Sequence, residues 1–415
     1  MITYRELVAE LPSEYETLKQ SVHRFAAQVM RPAALALDRM SDPGEVAAPD
    51  SPLRQVLRAA WGLGYHTVGI PVEYGGLGLR GLARHILLEE LGWGSAGLAI
   101  SIAVAGFPFS AVAACGEGPL IERLVKPFVA DREAKFIGCW AISEPAHGSD
   151  ELGVATDEFY DPKIRGQVAA ILDGDSYIIN GQKAAWISNG AIASHALTYL
   201  SLERSIGLSG GGVAFIPLDL PGVSHGGIFN KIGQRDLAQG ELFFDDVRIP
   251  KEYVFVGAAG YQLTLTRTIT AATTAMAAVF TGVARAAYEE AMSYTQQRVQ
   301  GGKTLADHQL VRKRLFDMFT KVEAARALSR ATMIYNHATQ SPSLENAIAA
   351  KIFCTEAAFQ VTSDAVQLFG ANGLSKDYLV EKLFRDARVS MIEDGSNDVL
   401  ALTGAHHLIL RSGPS

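Results

Sequence analysis

Ala169-Ala170-Ile171-Leu172-Asp173-Gly174-Asp175-Ser176-Tyr177-Ile178-Ile179 is the stretch that decides the fold. Its side chains alternate with a period of two around an Asp-Gly turn, the pattern of a half-buried hairpin. On either side the period is different. From Tyr15 to about Lys135, apolar residues recur at three- and four-residue steps, as in Leu18, Val22, Phe25 and Val29, and Ile86 to Ile102 reads as one long helix. Period two extends over Phe136 to Pro250, with further strands at Gly212 to Leu218 and Glu241 to Ile249 and a second turn expected at Asn180-Gly181. Helical spacing returns at Gly257 and continues to Leu410. The order is helices, β region, helices, without repeats or low-complexity linkers. It predicts an α+β chain with an N-terminal helical part over 1–135, a middle β part over 136–251 and a C-terminal helical part over 252–415.

Composition narrows the function. Apolar residues at 48% and charged residues at 20% suit a globular chain of 415 residues, with enough material for two or three cores and a buried cofactor. The formal charge of -7, without any Lys/Arg-rich run, gives no footprint for nucleic acid. Cys115, Cys139 and Cys354 are scattered and lack CxxC spacing, which argues against a disulfide framework and a zinc site and favours a reducing cytoplasm. Leu91 to Cys115 carries no charge and is long enough to span a bilayer, but its Gly, Ala and Ser content and Pro108 predict a broken core helix instead. The N-terminus has neither the apolar run of a signal peptide nor a basic transit sequence.

Gly76-Leu77-Gly78-Leu79-Arg80-Gly81 matches GxGxxG, yet no alternating βα units follow and no acid stands about twenty residues on; it reads as a Gly-rich turn. Two other segments carry more. Ile142-Ser143-Glu144-Pro145-Ala146-His147-Gly148-Ser149-Asp150 leaves a strand as a loop that can present N–H groups and hydroxyls to phosphate or ring acceptors. In Lys183-Ala184-Ala185-Trp186-Ile187-Ser188-Asn189-Gly190, Trp186 and Ser188 are two apart on a strand, so an indole and a hydroxyl share one face. Near the C-terminus a carboxylate pair runs into a glycine, Glu393-Asp394-Gly395-Ser396, after a helical stretch containing Arg385 and Arg388.

Together these segments resemble the acyl-CoA dehydrogenase family, and the resemblance extends over nearly the whole chain. It implies a middle β-barrel or sandwich domain between an N-terminal helical domain and a C-terminal four-helix bundle, and an FAD-dependent oxidoreductase. Its cofactor contacts would fall on Ile142 and Ser143 at the isoalloxazine edge, Ser149 at the diphosphate, Trp186 on the ring and Ser188 on its N5 side, with Gly148, Ser396 and Asp398 among the further contacts. Arg298 and Gln300, in a segment where Gly301 replaces the usual Phe, and Gln367, Gly370 and Ala371 would reach the FAD of a neighbouring subunit, so a homodimer or homotetramer is implied. The substrate would be an acyl-CoA, contacted by Arg267 and Gly395, with electrons passed to an electron-transfer flavoprotein. No metal is called for.

Asp394 aligns with the family's base, normally Glu; the alternative base position is Thr266, which cannot act as one. Glu393, where the family usually has an aromatic residue, is expected to point elsewhere if the helical phase continues. The reaction implied is α,β-dehydrogenation to a 2,3-enoyl thioester. A non-oxidative acyl-CoA lyase of the desulfinase kind, a nitroalkane oxidase and a non-catalytic flavin-binding assembly factor are the alternatives.

Overall fold

The computed structural model describes residues 11–115 and 117–411. The N-terminal part contains helices α1 (Ser13–Phe25), α2 (Arg31–Asp38), α3 (Pro52–Gly62), α4 (Gly81–Gly94), α5 (Ala96–Ala105), α6 (Phe107–Cys115), α7 (Gly118–Leu120) and α8 (Lys126–Ala130). Helix α3 shows how sequence sets such an element. The Ser51 hydroxyl accepts the Arg54 N–H, and Pro52 occupies the first turn, where its missing N–H costs nothing. Leu53, Val56, Leu57, Ala60 and Trp61 then form one buried face. The Trp61 indole donates to Asp131 at 3.1 Å, and the same carboxylate accepts the Lys135 and Phe136 N–H groups, fixing the entry into the sheet.

The expected single helix over Ile86 to Ile102 is two. Ser95, in extended conformation, ends α4 and caps α5, while its hydroxyl donates to the buried Asp236 carboxylate. An uninterrupted apolar run hid this cap.

In the middle part, β1 (Gly138–Ala141) and the short α9 (Asp157–Tyr160) precede β2 (Ala169–Asp173), β3 (Ser176–Ile187), β4 (His195–Ser201), β5 (Gly211–Pro217), β6 (Val223–His225), β7 (Gly240–Pro250) and β8 (Val254–Val256). They form one eight-stranded mixed sheet in the order β6-β7-β3-β2-β4-β5-β8, with β1 parallel to β4. The hairpin at Asp173-Gly174 is present, with Asp173 opposite Ser176. Asn180-Gly181 is not a turn. It is a bulge inside β3, where Gly181 takes φ of 131° and the Asn180 amide exchanges hydrogen bonds with Asp246 on β7. A cross-strand partner, absent from the local sequence, selects the bulge.

The C-terminal part comprises α10 (Ala258–Gln297), the β9 (Val299–Gln300) and β10 (Lys303–Thr304) ribbon, α11 (Gln309–Ala338), α12 (Leu344–Phe369), α13 (Leu379–Ser390) and α14 (Asn397–Arg411). Helix α10 packs closely because its threonines return their hydroxyls to their own backbone, as Thr273 to Ile269 at 2.7 Å and Thr281 to Ala277 at 2.8 Å. It crosses α4 with backbone nearly touching. A Cβ on Gly92 would lie 2.1 Å from the Val279 carbonyl, and one on Gly282 2.1 Å from that of Glu89. Segments Ala96–Cys115 and Ala258–Gln297 are long and apolar enough to cross a membrane, but 61% and 83% of their most apolar windows are buried inside the fold.

Candidate active site

A cavity of about 610 Å³ opens between the middle sheet and the C-terminal helices. Ile142, Ser143, Gly148, Ser149, Trp186, Ser188, Asp394 and Gly395 all line it, so the three segments singled out in the sequence meet here. Lys231, Gln239, Arg388 and Glu393, none of them given a role by the sequence, line it too.

The first wall is the loop after β1. Glu144 and His147 exchange backbone hydrogen bonds and close a tight turn. Lys183, 1% exposed, then locks that turn to β3: its ammonium donates to the Ile142 carbonyl at 2.8 Å and to the Glu144 carboxylate at 2.7 Å. Glu144 also accepts the Gln167 and Val168 N–H groups, and the Ala184 N–H donates to the Ser143 carbonyl at 2.9 Å. Ser143 and Ser149 are thus carried on a fixed loop beside the strand bearing Trp186 and Ser188.

Trp186 is 57% exposed, with one side against Phe229 at a centroid distance of 5.5 Å. An indole of this size left open on a cavity wall is a platform for a planar ring. The strand end beyond it is fixed by buried Asn189, whose amide donates to the Ser101 and Gly138 carbonyls. Gly148 presents bare backbone to the same space; a Cβ there would meet nothing within 4 Å. Platform, hydroxyls and open backbone together fit a flavin dinucleotide.

The second wall follows α13. That helix ends at Ser390, and the chain then turns through Asp394 at φ of 51° and Gly395 at φ of 97°. Helical phase is therefore lost, and Glu393 faces the cavity beside Asp394, contrary to the expectation that it would point away. Gly395 is required twice over, by its positive φ and because a Cβ would lie 2.7 Å from Leu152. Buried Lys351 on α12 holds this corner by donating to the Gly395 carbonyl at 2.7 Å and to Asn397 at 2.8 Å. The Ser396 N–H donates to the Ser149 hydroxyl at 2.9 Å, which ties the second wall to the first.

The two carboxyl groups differ electrostatically. Burial pushes Asp394 up to about 6, against the opposing attraction of Lys351. Burial, reinforced by the Asp394 charge, pushes Glu393 up to about 8. Both shifts favour a proton retained on the pair, more strongly on Glu393 than on Asp394.

The other residues picked out from the sequence lie elsewhere. Arg267 is exposed on α10 and does not line the cavity, and Asp398 is exposed in the first turn of α14. Arg298 ends α10, with exposed Gln300 two residues on. Gln367, Gly370 and Ala371 are exposed at the end of α12. These last two groups are neighbours, because Tyr294, one turn before Arg298, stacks on Phe369 at 3.9 Å and accepts a hydrogen bond from Asn372.

Comparison with known proteins agrees with this architecture part by part. Family models described as the acyl-CoA dehydrogenase N-terminal, middle and C-terminal domains match residues 12–131, 139–247 and 259–409. The human mitochondrial short-chain specific acyl-CoA dehydrogenase is 30% identical over 403 residues, covering 96% of this chain and 91% of that protein. The cyclohex-1-ene-1-carbonyl-CoA dehydrogenase of Syntrophus aciditrophicus is 30% identical over 410 residues, covering 98% and 93%. Among solved structures, butyryl-CoA dehydrogenase from Megasphaera elsdenii superposes with a TM-score of 0.84 at 26% identity, covering 96% of this chain and 99% of that one.

Proposed function

For a chain that belongs to the acyl-CoA dehydrogenase family, and is an FAD-dependent oxidoreductase, we propose the specific reaction of removing two hydrogens across C2–C3 of a compact or cyclic acyl-CoA. The observation that carries this reading is the placement of the Asp394 carboxyl group on the same cavity as Trp186, Ser143 and Ser188. FAD, when bound, supplies the hydride acceptor. Trp186, Ser143, Ser188, Gly148 and Ser149 are the residues that would hold it. The Asp394 carboxylate takes the proton from the carbon next to the thioester carbonyl, and Lys351 steadies the loop on which that carboxylate sits. A base needs a pKa near the working pH, and burial brings Asp394 toward it.

Asp394 is one methylene shorter than glutamate, so the reacting carbon must come closer to the wall. That favours an acyl group branched or closed into a ring at C2, and the likeness to a cyclohex-1-ene-1-carbonyl-CoA dehydrogenase supports the same choice. Exposed Arg267 would meet the phosphates of CoA. Arg298, Gln300, Gln367, Gly370 and Ala371, clustered away from the cavity, would serve the cofactor of a second protomer, and electrons would leave to an electron-transfer flavoprotein in the cytoplasm.

Anaerobic mixing of the FAD-loaded protein with a panel of acyl-CoAs, followed by flavin absorbance, tests the reading. Bleaching by at least one cyclic or branched thioester is expected, and Asp394→Asn should slow it by about 10²–10⁴-fold while retaining FAD. Wild-type bleaching rates in that variant would remove Asp394 from the mechanism. Consumption of the thioester without bleaching would point to lyase chemistry instead.

A further inference from the structure

Glu393 is left over once Asp394 is the base. It is the second carboxyl group on the cavity, in a position where the neighbouring sequence does not require an acid, and it is deliberately held. Buried Gln234, whose own N–H is fixed by Asp386 at 2.5 Å, donates its side-chain amide to one Glu393 oxygen. The two lysines around it are otherwise occupied. Lys351 on α12 donates to Gly395 and Asn397, as above. Lys231, on the loop before β7, donates to the Leu237 carbonyl and the Gln239 amide, each at 2.8 Å. Asp394, next in the chain, repels a second negative charge. Arg388 on α13 is exposed on the same cavity.

Resting on the dehydrogenase reading, we propose that Glu393 is a specificity residue whose carboxylic acid O–H donates to an oxygen on the acyl group, so that the preferred substrate is a hydroxy- or oxo-substituted acyl-CoA. With one oxygen committed to Gln234, the other is left to carry the proton, whose retention is favoured by burial and by the Asp394 charge. A neutral oxygen is favoured because it needs no free cation at this point, where both nearby lysines are committed to other acceptors. A wholly hydrocarbon group would leave the acid O–H without a partner on the substrate, which is the circumstance in which polar sites discriminate most strongly.

The test compares cyclohexanecarbonyl-CoA with its 3-hydroxy, 4-hydroxy and 4-oxo analogues on FAD-loaded protein at pH 7. Dissociation constants are read from the ligand-induced change in the flavin spectrum, and bleaching rates are read separately. Wild type should bind at least one oxygenated analogue about tenfold more tightly than the parent. Glu393→Leu should lose that preference, and the isosteric Glu393→Gln, an amide donor, should keep part of it. Equal binding of parent and analogues by wild type, or an undiminished preference in Glu393→Leu, overturns the proposal. Failure of every thioester to bleach the flavin would instead sink the dehydrogenase reading on which it rests.

Discussion

Replacing Lys183 by Met isolates the interaction on which the first wall depends. The ammonium and the Glu144 carboxylate are each 1% exposed and 2.7 Å apart, and the same ammonium satisfies the Ile142 carbonyl. Methionine fills most of the volume but leaves a buried carboxylate with only the Gln167 and Val168 N–H groups. Orphaning one member of such a pair costs about 3–5 kcal/mol. Replacing Glu144 by Gln in the same chain removes the stranded charge, so Lys183→Met/Glu144→Gln should cost only about 1–2 kcal/mol, and the two changes should couple by at least about 2 kcal/mol. Thermal melting of the four proteins at fixed protein and FAD concentration reads this as a loss of about 3–6 °C for Lys183→Met. Flavin retained through gel filtration should fall with it, because Ile142 and Ser143 lose their anchor. A melting point within about 1 °C of wild type, or strictly additive losses in the double variant, would show that the pair does not hold the loop.

The remaining expectations concern the carboxyl pair and the helix crossing. Because the base must be ionised, flavin reduction should rise with pH through about 6, and a flat profile between pH 5 and 7 would exclude Asp394 as the titrating base. Folding raises Glu393 above its ordinary value, so ionisation costs the folded state stability that falls away as pH climbs from about 4.5 through about 8. Glu393→Gln should accordingly melt higher than wild type at pH 9 but not at pH 4, and the opposite order would contradict the direction of the shift. Gly282→Ala places a methyl group against the Glu89 carbonyl in the tightest part of the α4–α10 crossing. It should cost about 3 kcal/mol or more by denaturant titration, and a neutral effect would mean the helices part easily.

Periodicity made the three-part order legible, because each part keeps one repeat over long distances. The Asp173-Gly174 hairpin was equally open to reading, since a two-residue turn is specified by its own residues. Asn180-Gly181 satisfied the same local rule and still became a bulge, because Asp246, more than sixty positions away, takes the Asn180 amide. Residues named from the segments Ile142–Asp150 and Trp186–Ser188 reached the cavity because they are consecutive on elements that face it. Lys231, Gln234 and Lys351 carried no signal of their own: each is a polar residue inside an ordinary stretch, and its partners come from other elements. Glu393 was hidden by assuming a helix that stops three residues earlier, although Gly395 announces the stop.

Helix α10 also works as a ruler. Ile269, in its first half, packs in the same cluster as Ile142 at the cavity, whereas Arg298 stands at its far end. Twenty-nine residues of continuous helix separate them by roughly 45 Å. If Arg298 serves the cofactor of a second protomer, as proposed above, the guanidinium at the tip of the rod and the base of its own chain belong to different catalytic centres. Two damaged chains, one without the Asp394 carboxylate and the other without Arg298, would then repair each other when co-assembled: the sound base of one and the sound arginine of the other would meet in a single restored centre.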